Sequence, residues 1–182
     1  MNVRSFVLAA AALGTLAALA FAHPHFPKTV EMKLGMTDDA PSIKVSHLTV
    51  TFDQALFDKT KDGDVWHMAG ASLDTTADVK IGGHAVAKGH YRLLTRKTKN
   101  GEWELVLDAG GKAFSRDLSD QAFALATTFE KGQPVQEHLR LDLQPSGDKH
   151  ATVLNLEAHF GEFKATSKIE VAEAAAGAKK KG

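Results

Sequence analysis

Apolar residues recur at every second position in segment after segment of this chain, and this period constrains the fold more than any other feature. A period of two places alternate side chains on one face of a β-strand, whereas a helix needs a period near 3.6. The clearest alternating sets are Val30, Met32 and Leu34; Trp103, Leu105 and Leu107; Leu139, Leu141 and Leu143; Leu154, Leu156, Ala158 and Phe160; Phe163, Ala165, Ile169 and Val171. We therefore predict an all-β fold, an antiparallel β-sandwich of about seven to nine short strands, with a barrel as the alternative.

Turn residues predict the register of one hairpin. A two-residue Asn-Gly loop at Asn100-Gly101 would put Leu93 and Leu105 on opposite faces of the pair. A three-residue loop with Gly101 in the left-handed conformation pairs Leu93 with Leu107 instead, so that the apolar faces match. We predict the three-residue loop.

Two further turns and one irregularity are predicted in the same way. Gly161-Glu162 reads as a two-residue turn that would pair Phe160 with Phe163, and residues 145–149 read as another hairpin. Within residues 43–52, the apolar residues before Ser46 fall on one face of a strand and those after His47 fall on the other. This change of face predicts a bulge or strand break near Ser46-His47.

The first residues carry the pattern of a cleavable secretory signal. Arg4 supplies positive charge, residues 6–22 are almost purely apolar and small, and the stretch ends Ala20-Phe21-Ala22, a small-x-small cleavage pattern. We predict a signal peptide at residues 1–22, a mature chain that begins at His23, a single domain at residues 23–171, and a periplasmic or secreted location. An uncleaved anchor is the alternative, although the apolar run is shorter than the about 20 residues of a transmembrane helix.

Composition narrows the choice of partners. Lys+Arg and Asp+Glu both number 22, and this balance argues against a nucleic-acid partner held by long-range charge. No second apolar run follows the signal, so we expect no stable membrane insertion after cleavage. The chain has no cysteine, which excludes a disulfide framework. Residues 172–182 are rich in Ala and Lys and have little to bury, so we predict a disordered tail there.

A long motif follows in the middle of the chain. It reads VWHMAGASLDTTADVKIGGHAVAKGHYRLLT and, after a short gap, EWELVL. This stretch resembles the bacterial domain-of-unknown-function family 2911, whose members carry runs close to VWRTGANEATT, DVKVNGKPLPAGTYSLFTIP and EWTVIF. The matching positions are Trp66, Gly70, Ala71, Thr75, Thr76, Asp78, Val79, Lys80, Ile81, Gly83, Gly89, Tyr91, Leu93, Glu102 and Trp103. The resemblance covers residues 64–107 well and continues weakly to Val171.

The resemblance implies a secreted or periplasmic β-sandwich protein, and it brings no activity or ligand with it. This chain departs from the family pattern at three polar positions. His67 stands where the family has Arg, Ser72 where it has Asn, and Leu73 where it has Glu. A family site built on those polar side chains would therefore be lost or altered here.

Catalytic motifs are missing from the sequence. It contains no G-x-S-x-G elbow, no H-E-x-x-H pair, no Walker loop and no cysteine nucleophile, so we predict no catalytic residues. Nine histidines are the unusual feature, because imidazole binds zinc, copper and nickel. If cleavage follows Ala22, the amine and ring of His23 can chelate copper, with His25 or His47 as a further ligand. An N-terminal arm whose histidines bind nothing is the simpler interpretation.

Other histidines and the large aromatic residues are weaker candidates. His138 is predicted to lie opposite Glu157 or His159, and the second register would form a pair able to share a metal, although two solvated histidines are the simpler interpretation. Trp66, Tyr91 and Trp103 could form a sugar-stacking platform, but their period favours core packing.

Three functions remain open from the sequence. The favoured one is an exported, non-catalytic β-sandwich with a binding or structural role in the cell envelope and an unidentified ligand or envelope partner. A periplasmic copper-binding protein that uses His23, His25 and His47 is the second. An uncharacterised enzyme is the third.

Overall fold

A computed structural model describes residues 25–35, 37–146 and 153–171 of the chain. The predicted signal peptide at residues 1–22, His23 and the predicted tail at residues 172–182 lie outside these ranges. The described residues form one short helix and eleven strands: β1 Pro27–Lys33, β2 Ser42–Leu48, α1 Gln54–Asp58, β3 Val65–Trp66, β4 Ser72–Thr75, β5 Val79–Ile81, β6 His84–Val86, β7 Gly89–Lys97, β8 Trp103–Asp108, β9 Ala122–Ala124, β10 Thr128–Pro145 and β11 Val153–Val171.

The strands form two antiparallel sheets. One sheet has the order β1-β2-β4-β7-β8-β9, with β3 also paired to β7, and the other has the order β10-β11-β5-β6. The inward faces of both sheets supply one apolar cluster, which confirms the predicted all-β antiparallel sandwich. There are more strands than expected because β3, β5, β6 and β9 are only two or three residues long.

The alternating apolar residues form the core as the period of two requires. In β2, Ile43 and Val45 are fully buried, while the residues that alternate with them along the strand are partly exposed. In β11, Leu156 and Phe160 are buried in the same alternating way. Full burial of one such side chain contributes about 1.5–3 kcal/mol, so the many alternating pairs account for the stability of the sandwich.

The predicted register of the β7–β8 hairpin is confirmed. Leu93 lies opposite Leu107 and Thr95 opposite Leu105. Gly101 has a φ of +76°, the left-handed conformation that the three-residue loop needs.

The predicted turn at Gly161-Glu162 is wrong. β11 runs without interruption from Val153 to Val171, and Phe163 pairs with Lys131 of β10 rather than with Phe160. Gly161 does have a φ of +55°, but it permits close packing instead of a turn, since a Cβ there would lie 2.5 Å from the ring of Phe52. The neighbouring strand β10 absorbs the bend through register shifts between Lys131 and Arg140.

Of the two causes predicted for the change of apolar face, a bulge or a strand break near Ser46-His47, the structure shows no bulge in β2 but an end of the strand at Leu48. β2 pairs with β1 in an unbroken register as far as Leu48, and the segment after it crosses to the other sheet. The amide of Leu139 donates to the Val50 carbonyl at 2.8 Å, and the amide of Phe52 donates to the Glu137 carbonyl at 2.8 Å. We call residues 49–53, which carry the apolar side chains of Val50 and Phe52, the crossover segment.

Within the ranges that the structure describes, no helix is long and apolar enough to cross a membrane.

Candidate ligand-binding site

A cavity of about 150 Å³ lies where the crossover segment and α1 meet the two sheets. Among the residues described, Thr51, Asp53 and His67 are its polar lining. The rest of the wall is apolar and comes from Val50, Phe52, Leu56, Phe57, Trp66, Ala69, Leu139 and Phe160. A concave, largely apolar space with a few polar groups is the usual character of a small-molecule site.

Phe57 of α1 is the centre of the aromatic wall. Its ring centroid lies 4.9 Å from that of Phe52, 5.3 Å from Trp66 and 5.1 Å from Phe160. These separations are typical of attractive tilted and edge-to-face aromatic pairs. The helix itself is short and has no buried residue, so Phe57 holds it against the sandwich mainly through these rings.

Local capping explains why a helix forms at this point of an all-β chain. Asp53 is extended and its side chain accepts a hydrogen bond from the amide of Leu56 at 3.1 Å, which satisfies an amide of the first turn. The single turn then leaves Leu56 half exposed at the cavity while Phe57 points inward.

His67 forms part of the cavity wall and is half buried. Burial lowers its pKa below the ordinary value, and the positive charges of Arg116 and Arg92 lower it further, against a smaller opposing effect of its own backbone. Its Nδ1 is enclosed and has no hydrogen-bond partner among the described residues. The ring is therefore a neutral imidazole with unused hydrogen-bonding capacity.

The backbone after His67 is strained. Met68, Ala69 and Gly70 have consecutive positive φ angles of 42°, 55° and 73°. Two of these are not glycine, and each such residue costs of order 1 kcal/mol or more and persists where surrounding contacts impose it. The amides of Gly70 and Ala71 both donate to the His67 carbonyl, at 2.9 and 3.3 Å, which holds the turn.

Phe114 supports the other side of His67. The two rings are edge-to-face with centroids 5.7 Å apart, and a Cβ on Gly70 would lie only 2.6 Å from the Phe114 ring. Phe114 itself has a φ of +63° and remains 57% exposed. A large apolar ring is therefore displayed on the surface in a left-handed conformation beside His67.

A buried ion pair holds the loop that carries Phe114. Arg92 of β7 and Asp108 of β8 lie opposite each other, and both side chains are almost completely buried. The Arg92 guanidinium also donates to the carbonyl oxygens of Lys112, Ser115 and Asp117, at 2.6, 3.1 and 2.8 Å. We call this pair and its loop, residues 109–121, the arginine clasp.

The carboxylate of Asp108 has further partners besides Arg92. It accepts hydrogen bonds from the amide of Ser119 at 3.1 Å, from the amide of Gly110 at 3.0 Å and from the Ser119 hydroxyl. Burial alone would raise the pKa of Asp108, but the hydrogen bonds from Ser119, Arg92 and Gly110 together lower it far below the ordinary range.

A second, smaller cavity of about 30 Å³ lies between His67, Arg92 and Phe114. This volume is about that of one water molecule. His67 lines both this small cavity and the cavity of about 150 Å³, which we call the aromatic cavity.

The departures from the family pattern have different surroundings. Leu73 is fully buried in the core, and Ser72 lines the small cavity. Of the three, His67 alone reaches the aromatic cavity.

Of the predicted metal ligands, His25 and His47 lie within the residues that the structure describes. His23 lies outside the described residues. The Nδ1–H of His25 donates to the Thr49 carbonyl at 2.8 Å, and His47 is buried on β2. Among the residues described, no group of three or more His, Cys, Asp or Glu side chains is placed to hold a metal ion.

His47 continues the buried face of β2 and is only 3% exposed. Both of its ring nitrogens lack a hydrogen-bond partner within the described chain. Burial lowers the pKa of His47, and the Leu139 backbone offsets part of this effect while the charge of Lys28 adds to it.

Neither predicted register for His138 is correct. His159 lies opposite Arg140, and His138 instead forms an isolated bridge with Thr51 of the crossover segment. The shift arises from the irregular pairing of β10 between Lys131 and Arg140. A shared metal between the two histidines is therefore not supported by the pairing.

The aromatic residues of the family motif belong to the core rather than to a sugar platform. Trp103 is 3% and Tyr91 9% exposed. The Tyr91 hydroxyl donates to the Ala87 carbonyl at 2.9 Å, which satisfies its polar end. Trp66 is partly buried and packs in the aromatic wall described above. The prediction of core packing is confirmed.

Sequence reasoning missed the cavity itself. Phe52, Phe57 and Phe160 come from segments about a hundred residues apart, and no local pattern joins them. The arginine clasp did leave a signal, because the predicted pairing of Leu93 with Leu107 also places Arg92 opposite Asp108.

Residues 38–164 match the family described as a protein of unknown function, DUF2911, which confirms the resemblance found in the sequence. No curated protein and no solved structure was found to match the chain.

Proposed function

Because this chain belongs to the DUF2911 family of unknown function, no activity comes with the membership, and we propose that it is an exported, non-catalytic protein that binds a small apolar molecule. The aromatic cavity is the observation that carries the proposal. Engineered protein cavities of about 150 Å³ with apolar walls admit one molecule of the size of benzene. The site therefore suits a ligand of a single ring or a short branched chain.

The expected affinity follows from that size. The binding free energy per non-hydrogen atom has an upper limit that only the best small ligands reach. A ligand of about seven such atoms, held by apolar contacts, should bind with less free energy per atom than this limit, so we expect a Kd of roughly 0.1–1 mM. Closure of the cavity around the ligand by Leu56, which is half exposed at its edge, would tighten binding.

Export is part of the proposal and rests on the N-terminal sequence alone. The apolar run of residues 6–22 and the pattern Ala20-Phe21-Ala22 support cleavage before His23 and a periplasmic or secreted location. The N-terminal sequence of protein recovered from the producing cells tests it. A mature chain that retains residues 1–22 would contradict export by cleavage.

Titration with toluene, followed by tryptophan fluorescence, tests the binding function. Trp66 lies in the cavity wall and Trp103 lies 5.1 Å from Phe57, so an occupant should change the emission. Val50→Phe places a ring in the cavity and should abolish the response. Val135→Phe is the matched control, because Val135 is 64% exposed on β10, away from the cavity lining.

A saturable response in the native protein and in Val135→Phe, lost in Val50→Phe, would support the proposal. No saturable response in the native protein, or an equal response in Val50→Phe, would contradict it.

Copper binding at the mature N-terminus is the second candidate. The segment after the predicted cleavage site is tied to the end of β2, since the amide of Phe26 donates to the Thr49 hydroxyl at 3.0 Å and the His25 ring donates to the Thr49 carbonyl. The bond at Nδ1 leaves Nε2 of His25 available to a metal. His47 would have to leave its buried position to take part.

Copper(II) titration of two forms of the protein tests this candidate. A chain that begins at His23 should bind one equivalent much more tightly than a chain that begins Gly-His23, because the added residue moves the free amine away from the ring. The difference should shrink as the pH falls through about 6.5, where imidazole gains a proton. Equal affinity of both forms would exclude a site at the terminus.

A further inference from the structure

We infer that the ligand of the aromatic cavity is a neutral, single-ring molecule with one oxygen acceptor, to which the imidazole of His67 donates a hydrogen bond. The inference rests on the proposed function, since it names the ligand class for the same cavity. His67 is chosen because its ring carries hydrogen-bonding capacity that the described residues do not use.

The position of the proton on the His67 ring determines which ring nitrogen can donate a hydrogen bond. A neutral imidazole has one N–H and one lone pair. Nδ1 is enclosed without a partner, and a buried N–H without an acceptor is a rare arrangement in proteins. A proton on Nε2 avoids this cost, and in the proposed complex Nε2 donates it to a ligand oxygen in the cavity that His67 lines.

Charges around the cavity select a neutral molecule. Arg92 and Arg116 make the surroundings of His67 positive, as their effect on its pKa shows, so a ligand oxygen with partial negative charge is favoured there and a cation is not. Asp53 also lines the cavity, and its negative charge disfavours an anionic ligand. A hydroxyl, ether or carbonyl oxygen on an uncharged ring satisfies both conditions.

The donor is also held in place before any ligand arrives. Phe114 packs edge-to-face against the His67 ring, and the arginine clasp fixes the loop that carries Phe114. On the chain side, the strained turn of Met68, Ala69 and Gly70 fixes the backbone. Such preorganisation reduces the entropy lost on binding, which favours recognition of one polar atom in an otherwise apolar site.

Phenol and toluene, two rings of equal size, test the inference by equilibrium titration. Phenol loses hydrogen bonds to water on entering an apolar cavity, so without a partner it must bind more weakly than toluene. With His67 as the partner, phenol should bind about fivefold more tightly than toluene. Anisole, which can only accept a hydrogen bond, should likewise bind more tightly than ethylbenzene.

Variants of His67 assign the preference to its ring. His67→Phe keeps an aromatic wall without a donor, so toluene should then bind more tightly than phenol, and continued toluene binding shows that the cavity is intact. His67→Gln, with an amide donor, should restore part of the preference for phenol. His84→Phe is the matched control, because His84 stacks on Phe123 in the other sheet, and it should keep the native preference.

The outcomes separate the two proposals. Toluene binding at least as tight as phenol binding in the native protein, or a phenol preference that survives His67→Phe, would overturn the role of His67 and leave the apolar site standing. A phenol preference without an anisole preference would overturn the acceptor assignment. If none of the four molecules binds, both the ligand class and the proposed function are wrong.

Discussion

The arginine clasp and the aromatic cavity differ in the contacts that hold a connecting segment against the β-sandwich. In the clasp, a buried guanidinium and a buried carboxylate are surrounded by carbonyl and amide partners, and the space left beside them is about 30 Å³. In the cavity, rings hold α1 and the crossover segment, and about 150 Å³ stays unfilled. The unfilled volume of the cavity means that its wall makes fewer stabilising contacts than the residues of the clasp do. The same unfilled apolar volume can accommodate a ligand.

His67 connects the two regions. It lies in the wall of both cavities, so a change in the clasp should reach the ligand site through Phe114 and the His67 ring. The two regions can therefore be compared by substitutions that act on one and leave the other in place.

Removal of the buried charge should have the largest effect. Asp108→Asn leaves the buried Arg92 uncompensated, and loss of one partner from such a pair costs about 3–5 kcal/mol of unfolding free energy. Glu104→Gln is the control on the same strand pair, since the Arg96–Glu104 pair is partly exposed and such pairs contribute about 0–1 kcal/mol. Urea unfolding of both variants measures the difference. Equal, small losses would mean that the clasp does not stabilise the fold.

A valine-to-phenylalanine substitution, made once in β2 and once in the crossover segment, should have an intermediate effect. Val45→Phe enlarges a side chain that is fully buried in close-packed core and should cost about 1–3 kcal/mol. Val50→Phe grows into the cavity and should change the unfolding free energy by less than about 1 kcal/mol. Thermal unfolding compares the two. A loss for Val50→Phe as large as that for Val45→Phe would mean that the cavity is filled or closed in solution.

The smallest effect concerns His47 and is seen in the pH dependence. Because burial lowers the pKa of His47, the unfolded chain binds a proton more readily, and stability falls as the pH decreases from about 6.5 toward the lower folded pKa. His67 and His159, whose pKa values burial also lowers, contribute in the same direction. His47→Leu should reduce this slope and change stability at pH 7 by less than about 1 kcal/mol.

Urea unfolding between pH 5 and pH 7.5 measures the slope. His138→Leu, a substitution of an exposed histidine on β10, is the control and should leave the native slope unchanged. A slope in His47→Leu as steep as in the native protein would show that His47 takes up its proton in the folded state without difficulty.

Turn and face-matching rules predicted the β7–β8 hairpin correctly but gave a wrong turn at Gly161. The two cases differ in how far apart along the sequence the contacting residues lie. Matching apolar faces and a left-handed glycine settle the register of Leu93 and Leu107 within fifteen residues of chain. Gly161 carries the same local signal, yet its conformation serves a contact with Phe52, more than a hundred residues away. A single sequence contains the residues of that contact but not their pairing.

The same limit explains the candidate site. The period of two predicts which side chains face inward, and it correctly placed Trp103 and Phe160 in the core. The presence of a cavity depends on how completely the inward side chains fill the space between the sheets. That filling is set by the positions of the crossover segment and α1, which the period of the apolar residues does not predict. The family motif shows only that His67 replaces an arginine, and its place at the cavity becomes visible only in the structure, where Phe57 lines the same cavity and Phe114 packs against the His67 ring.

A crystal of the protein soaked in bromobenzene shows whether the aromatic cavity holds a ligand, since the anomalous signal of bromine locates the ligand without reference to affinity or fluorescence. We expect one bromine site between Phe52, Phe57, Trp66 and Phe160, with α1 in place, and no such site in crystals of Val50→Phe. Crystals that show no bromine in this cavity, or that show Phe57 collapsed into it, would contradict the claim that it is a ligand site.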